Sequence, residues 1–487
     1  MALMRFQTAW LLSIVLGTIV VGAEPTSRPN VLFIAIDDLR PALGCYGDKL
    51  AKTPNIDAFA TTARQFNFAY VQQAVCGPSR TSMLTGRLPD KTRVWHNRNR
   101  FRNRHPDLVT LPQLFKQAGY QSIALGKIFS GNKKELDPLS WSEPETLNGP
   151  SWKKYLLPEN LGKGSKQAAW EAPDVDDAAY PDGKITELAV RKLREFKKSG
   201  ESFFLAAGFF KPHLPFNAPK KYWGLHRESD FVLPASQLKS VVDSPDIALH
   251  THRELGGYKG LPADEVVDTK QRAKLRHGYY ACVSYIDVQV GRVLQTLREL
   301  GLEENTIVVL WGDHGFSLGE QSRWCKGTNF ELDTHVPLII RVPAMPEPGI
   351  STNALLESVD IFPTLAELAG LHAPSDLDGQ SMAELLRRPT ASGRDYVFSQ
   401  FNRPWKSTKP EIMGYSIRSR DQRYTRWIEW HSRNTVAEEF YDYSVAPIAT
   451  RTFLLEDANR AGDPAYETAR ARMSQQLDKM LKERLSY

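Results

Sequence analysis

Short apolar runs alternate with helical periodicity along most of the chain. Val31 to Ile36 is apolar and rich in β-branched residues, which predicts a buried strand, and it ends at Asp37-Asp38. Thr53-Pro54 predicts a helix start with proline at the first helical position, and Ile56, Phe59, Ala60, Ala63 and Phe66 follow at helical spacing. Leu111 to Ala118 predicts a helix stopped by Gly119, and Tyr120 to Leu125 a strand running into Gly126-Lys127. Lys184 to Lys198 is amphipathic, and Phe203 to Gly208 is a strand leading to Lys211-Pro212-His213. Arg272 to Leu300 is a long helix with Leu275, Tyr279, Val283, Ile286, Val290 and Leu294 on one face and Gly301 as its stop. Thr306 to Trp311 is a strand ending at Asp313-His314, and Pro337 to Val342 is another.

This alternation predicts an α/β fold with a mostly parallel central sheet and helices on both faces. In such sheets ligands sit beyond the carboxyl ends of the strands. Near Leu385 to Asp395 the pattern changes to shorter strand-like runs, Tyr396 to Phe401, Tyr415 to Arg418 and Arg423 to Trp430. A final helix from Asp463-Pro464 carries Met473, Leu477, Met480 and Leu481 as its apolar stripe. The expected organisation is a signal peptide over 1–23, a catalytic domain over 24–388, and a smaller C-terminal α+β subdomain over 389–487 with a small antiparallel sheet and the terminal helix. Residues 131–182 lack periodicity and contain Trp141, Trp152 and Trp170, as expected of a long excursion near the mouth of a site or of irregular packing alone.

Composition narrows the class. A length of 487 residues suits two packed units. A net charge of +6 is too dilute for a nucleic-acid binder, so no nucleic-acid partner is expected. Arg5, the apolar stretch Ala9 to Val21 and the small residues Gly22-Ala23 read as a cleaved export signal. No other segment approaches membrane-span length, so no stable span is expected after cleavage. Cys45, Cys76, Cys282 and Cys325 have no framework spacing, and no Asn-x-Ser/Thr site occurs. Together these favour a bacterial periplasm or exterior.

Four groups of residues could carry chemistry. Asp37-Asp38 and Asp313-His314 each follow a predicted strand, and paired carboxylates that would repel each other are relieved by a divalent cation, calcium or magnesium by donor type. The alternative is that each pair caps a helix or turn. Cys76-Gly77-Pro78-Ser79-Arg80 places Cys76 at a helix N-terminus that favours anions. The thiol there could be a nucleophile, a packed side chain or half of a disulfide. Lys127, Lys211, His213 and Lys326 lie in turns or loops from which a charged tip can reach a site, or else the lysines are simply solvated and His213, between two prolines, is a structural turn residue. Arg98, Arg100, Arg102 and Arg104 offer forks that match carboxylate or sulfate, or else form a solvated basic loop.

Cys76-Gly77-Pro78-Ser79-Arg80, with Thr85-Gly86-Arg87 after it, and Gly119-Tyr120 through Gly126-Lys127 together resemble the two signatures of the formylglycine-dependent sulfatases. Stretches such as DDLRPALGCYGDK and GDHGFSLGEQSRWCK resemble the iduronate-2-sulfatase branch, and the likeness covers nearly the whole mature chain. The resemblance implies an alkaline-phosphatase-like fold and oxidation of Cys76 to Cα-formylglycine by a maturation enzyme. It implies one calcium held by Asp37, Asp38, Asp313, His314 and an oxygen of the modified Cys76. Arg80 would hold the formylglycine, Lys127 and Lys326 would contact sulfate, and His213 would protonate the leaving alkoxide. The implied substrate is a sulfated glycan with a 2-O-sulfated uronic acid. One position departs from the pattern: Gly126-Lys127-Ile128-Phe129 is followed by Ser130 where that branch has histidine. A hydroxyl is a poor general base at neutral pH, which keeps a non-catalytic glycan-binding homologue open as an alternative. A phosphoester hydrolase of the same superfamily is the other.

Overall fold

In the computed structural model, strand β1 (Asn30–Ile36) is buried on both faces: Leu32, Ile34 and Ile36 enter one apolar cluster, and Val31, Phe33 and Ala35 enter the other. Each of these side chains except Ala35 contributes roughly 1.5–3 kcal/mol by burial. The structure describes residues 28–130, 136–147, 150–162, 167–249, 254–444 and 455–485. The leader expected over 1–23 lies outside them, as do parts of the excursion over 131–182. Among the described residues, no helix is long and apolar enough to cross a membrane.

The central sheet contains β1, β2 (Arg64–Tyr70), β3 (Gln121–Gly126), β4 (Phe203–Phe209), β5 (Thr306–Gly312), β6 (His335–Arg341) and β7 (Ser351–Glu357). Their order is β7-β2-β6-β5-β1-β4-β3. β1 pairs parallel with β4 and β5, and β3 pairs parallel with β4, while β6 runs antiparallel to both β5 and β2. The sheet is therefore mixed but mostly parallel. Helices α1 (Pro54–Ala60), α2 (Cys76–Thr85), α3 (Leu111–Gln117), α4 (Pro181–Ser199), α5 (Thr269–Glu299) and α6 (Ile361–Leu368) cover its faces. α5 starts at a capping box in which Asp268 and Gln271 satisfy each other's backbone N–H groups.

The helical spacing read through Ala63 and Phe66 does not persist. α1 ends at Ala60, and Phe66 lies in β2. The strand is buried almost throughout, so its apolar residues do not alternate strictly and also fit helical spacing. A second sheet, β8 (Val397–Arg403), β9 (Ile412–Arg418), β10 (Gln422–Glu429) and β11 (Thr435–Asp442), is antiparallel throughout. Helix α7 (Glu467–Leu485) packs Met473, Leu477, Met480 and Leu481 against it. A buried ion network joins the two sheets: Glu331 accepts from Tyr70 at 2.6 Å, Arg418 at 3.0 Å and Arg423 at 2.6 Å.

Candidate active site

The carboxyl ends of β1, β3, β4 and β5 converge, and the residues just beyond them form one buried pocket. Successive side chains of a strand point to opposite faces, so Asp37 and Asp38 share a pocket only if the chain turns between them. It does: Asp38 has φ of 58°, in the left-handed region. Its N–H donates to Asp313 Oδ1 at 3.0 Å, and its carbonyl accepts from the Tyr279 hydroxyl at 2.9 Å. The turn from β3 to Lys127 needs Gly126, where φ is 75° and a Cβ would lie 2.2 Å from the Gly208 carbonyl oxygen.

Cys76 opens α2, with Pro78 in its first turn and Gly86 closing it at φ of 64°. The Gly77 N–H at this helix start donates to Asn97 Oδ1 at 2.7 Å. Cys76 Sγ lies 3.3 Å from His314 Nε2, 3.3 Å from Lys127 Nζ and 3.5 Å from Asp37 Oδ1. Lys127 also donates to Asp37 at 2.6 Å. Lys326 donates to both oxygens of Asp38, at 2.8 and 2.9 Å. Arg80 Nε donates to Asp313 at 2.8 Å, while its buried Nη2 makes no hydrogen bond and lies 3.6 Å from Asp37. His213 turns Nε2 toward Asp38, at 4.0 Å, because Nδ1 is engaged by the Leu214 carbonyl at 2.5 Å.

Burial sets the electrostatics. It raises Asp37, but Lys127, with His213, Arg80 and Lys326, outweighs it and holds this carboxyl well below its usual range. Burial pushes Asp38 up to about 7, against the pull of Lys326 and with the help of Asp37. Burial and the Asp37 charge push the Cys76 thiol well above its usual value, so the side chain is a neutral thiol at neutral pH. Burial, with Lys326, lowers His213 to about 3.

Asp37, Cys76, Asp313 and His314 are all buried and offer ligand atoms within 4.8 Å of one another, and Asp37, Asp38 and His213 form an overlapping group. Two or three carboxylates with one imidazole fit a hard divalent cation better than a soft one. The unused Arg80 donor fits an added oxygen at residue 76.

Nine of the residues singled out in the sequence meet here: Asp37, Asp38, Cys76, Arg80, Lys127, His213, Asp313, His314 and Lys326. Lys211 does not. Its Nζ gathers the carbonyls of Trp152, His213 and Pro215, at 3.1, 2.9 and 2.6 Å, and so shapes the loop that carries His213. Trp152 also meets the His213 ring at 6.0 Å, so the irregular excursion does border the pocket. The four arginines diverge. Arg98 is exposed and holds the Lys406 carbonyl, beside the residue that touches Gly77. Arg100 and Ser130 border a cavity of about 120 Å³ with Gly77 and Thr81, and Ser130 Oγ has no hydrogen-bond partner. Arg102 is bound by Asp137 at 2.9 and 2.8 Å, and Arg104 borders a separate hollow with His105 and Asp376. All four cysteines are free thiols.

Two residues escaped the sequence reading. Asn97 fixes the start of α2, and Glu254 lies 3.4 Å from both His213 Nε2 and Lys326 Nζ. Both sit in polar, aperiodic segments with no motif to mark them.

The family profile described as Sulfatase matches residues 29–371, and one described as N-sulphoglucosamine sulphohydrolase, C-terminal, matches residues 319–483. The chain is 36% identical over 485 residues to iduronate 2-sulfatase of Homo sapiens, across 85% of this chain and 88% of that protein. It is likewise 36% identical over 477 residues to iduronate 2-sulfatase of Mus musculus, across 84% and 86%. Among solved structures it resembles phosphonate monoester hydrolase from Silicibacter pomeroyi, with a TM-score of 0.73 and 23% identity over 94% of this chain and 96% of that one. It also resembles a protein solved with its substrate D-glucosamine-2-N,6-O-disulfate, with a TM-score of 0.72 and 22% identity over 94% and 99%. These structural likenesses establish the fold, an alkaline-phosphatase-like α/β architecture with a smaller antiparallel sheet after it.

Proposed function

The chain belongs to the sulfatase family and is a sulfuric ester hydrolase, and from that premise we propose that it desulfates a 2-O-sulfated uronic acid of a glycan, with Cys76 matured to Cα-formylglycine and one calcium bound. The observation that carries this is the seat of Cys76: a helix-start thiol within 3.5 Å of an acid, an imidazole and an ammonium, each from a different segment. The iduronate 2-sulfatases at 36% identity support the choice of glycan.

Asp37, Asp38, Asp313 and His314 would hold the cation. When present, the hydrated aldehyde supplies one hydroxyl to attack sulfur and a second to expel sulfate, and the cation acidifies the oxygen it holds. Arg80 holds the residue-76 oxygens through its free Nη2. Lys127 and Lys326 bind sulfate oxygens and meet the charge that spreads over them. Nδ1 of His213 donates to the Leu214 carbonyl, so Nε2 faces the leaving oxygen and gives it a proton from the imidazolium form, which the bound sulfate's negative charge favours. The leader-like N-terminus supports action in the periplasm or outside the cell, reached by export before contact with the glycan.

The test is twofold. Mass analysis of the peptide spanning Cys76, from protein matured in its host, is expected to show an aldehyde in place of the thiol. Oligosaccharides ending in a 2-O-sulfated uronic acid are expected to release inorganic sulfate. An unmodified cysteine, or sulfate released only from other positions, overturns the corresponding half of the proposal.

A further inference from the structure

Glu254 is the carboxylate of the pocket that the mechanism above leaves without a task. Its two oxygens lie 3.4 Å from His213 Nε2 and 3.4 Å from Lys326 Nζ, and its side chain is only 14% exposed. Lys326 is already bound by both oxygens of Asp38. A group held by Lys326 and facing His213 therefore sits beside Glu254, and its negative charge is repelled there with little screening by solvent.

Coulomb repulsion scales with the charge of the ligand. A sulfate monoester carries one negative charge at neutral pH, whereas a phosphate monoester carries about 1.5 to 2. The two are otherwise close in shape, so a fixed carboxylate at this edge separates them by charge alone. We propose that Glu254 is a specificity-determining residue that makes the pocket favour singly charged sulfate esters over doubly charged phosphate esters. This rests on the sulfatase reading given above. Were Glu254 only a brace for His213 and Lys326, removing its charge would weaken both ligands alike.

The experiment compares the matured protein with Glu254→Gln and Glu254→Asp on a matched aryl sulfate and aryl phosphate. In parallel, methyl sulfate and methyl phosphate are titrated calorimetrically into the same variants in a Cys76→Ala background. Glu254→Gln is expected to raise the phosphate-to-sulfate ratio at least about tenfold in kcat/KM and in affinity. Glu254→Asp keeps the charge and is expected to stay near the starting ratio. A ratio that moves less than about twofold in Glu254→Gln overturns the proposal, as does an equal loss on both ligands. Absent sulfatase activity in the unsubstituted protein counts against the proposed function instead, and the calorimetric ratio still decides the role of Glu254.

Discussion

Cys76 Sγ and His314 Nε2 lie 3.3 Å apart although 238 residues separate them in the chain. The contact exists because β1 and β5 are neighbours, so Asp37 and Asp313-His314 emerge side by side, and α2 delivers Cys76 between them. Replacement by alanine removes the reacting atom from this seat and leaves the strands and helix intact. Cys76→Ala is expected to lower turnover to background while shifting thermal stability by less than about 1 kcal/mol. Sulfate release assays and thermal denaturation check the two halves, and retained turnover would falsify the role of residue 76.

In the proposed function, His213 is the imidazole that faces the leaving group. Without it a poor leaving group departs unprotonated, so His213→Ala is expected to slow release from a sugar about 10²–10⁴-fold. An activated aryl sulfate, whose phenolate needs no proton, should lose far less. Equal losses on the two substrates would remove the acid role.

Ser130 stands where the resemblance implies histidine, and it borders a cavity of about 120 Å³ with Gly77 and Thr81. An imidazole at this position has room beside the start of α2 and can accept a proton near neutral pH, which a hydroxyl cannot. Ser130→His is expected to raise kcat on aryl sulfate at least about tenfold with little change in KM. An unchanged kcat in a stably folded variant would place the limiting step elsewhere.

Much of this centre was legible in the sequence because strand ends are. An apolar run that stops at two acids, or at Asp313-His314, marks both the strand and what it presents. The strand Arg64–Tyr70 was not legible, since burial on both faces erases the alternation that separates strand from helix. Ser351–Glu357 is no easier to read as a strand, having exposed polar residues at its start. The arginines at 98 to 104 carried a charge pattern but no geometry: only the folded chain reveals that Arg102 serves Asp137. Glu254 owes its place to a long connection whose path no local pattern encodes.

On the proposed reading, the buried donor set of Asp37, Cys76, Asp313 and His314 would bind a cation only in the folded state, because only folding brings these four residues together. Such a ligand stabilises by mass action, about 2.7 kcal/mol at a hundred times its Kd. Adding calcium to chelated protein is expected to raise Tm and restore turnover, and Asp313→Asn is expected to abolish the Tm rise. A Tm independent of calcium in the unsubstituted protein would sink the cation assignment.

Glu331 links the central sheet to the antiparallel one, and its carboxylate answers two buried guanidinium groups, Arg418 and Arg423. Burial raises its pKa, but these two arginines outweigh it and hold the carboxyl far below its ordinary value of 4.5. A depressed carboxyl stabilises the fold above its unfolded pKa and loses that contribution as pH falls toward its folded one. Glu331→Gln keeps the shape but removes the carboxylate that Arg418 and Arg423 share, leaving Arg423 with Glu456 at 3.8 Å, which costs about 3–5 kcal/mol at neutral pH. Urea denaturation at pH 7 is expected to show that deficit, and the same measurement below pH 4 is expected to show it narrowing. The narrowing follows because the unsubstituted protein loses stability there through Glu331 and the variant does not. A deficit that stays constant with pH would mean that the side chain contributes packing rather than charge.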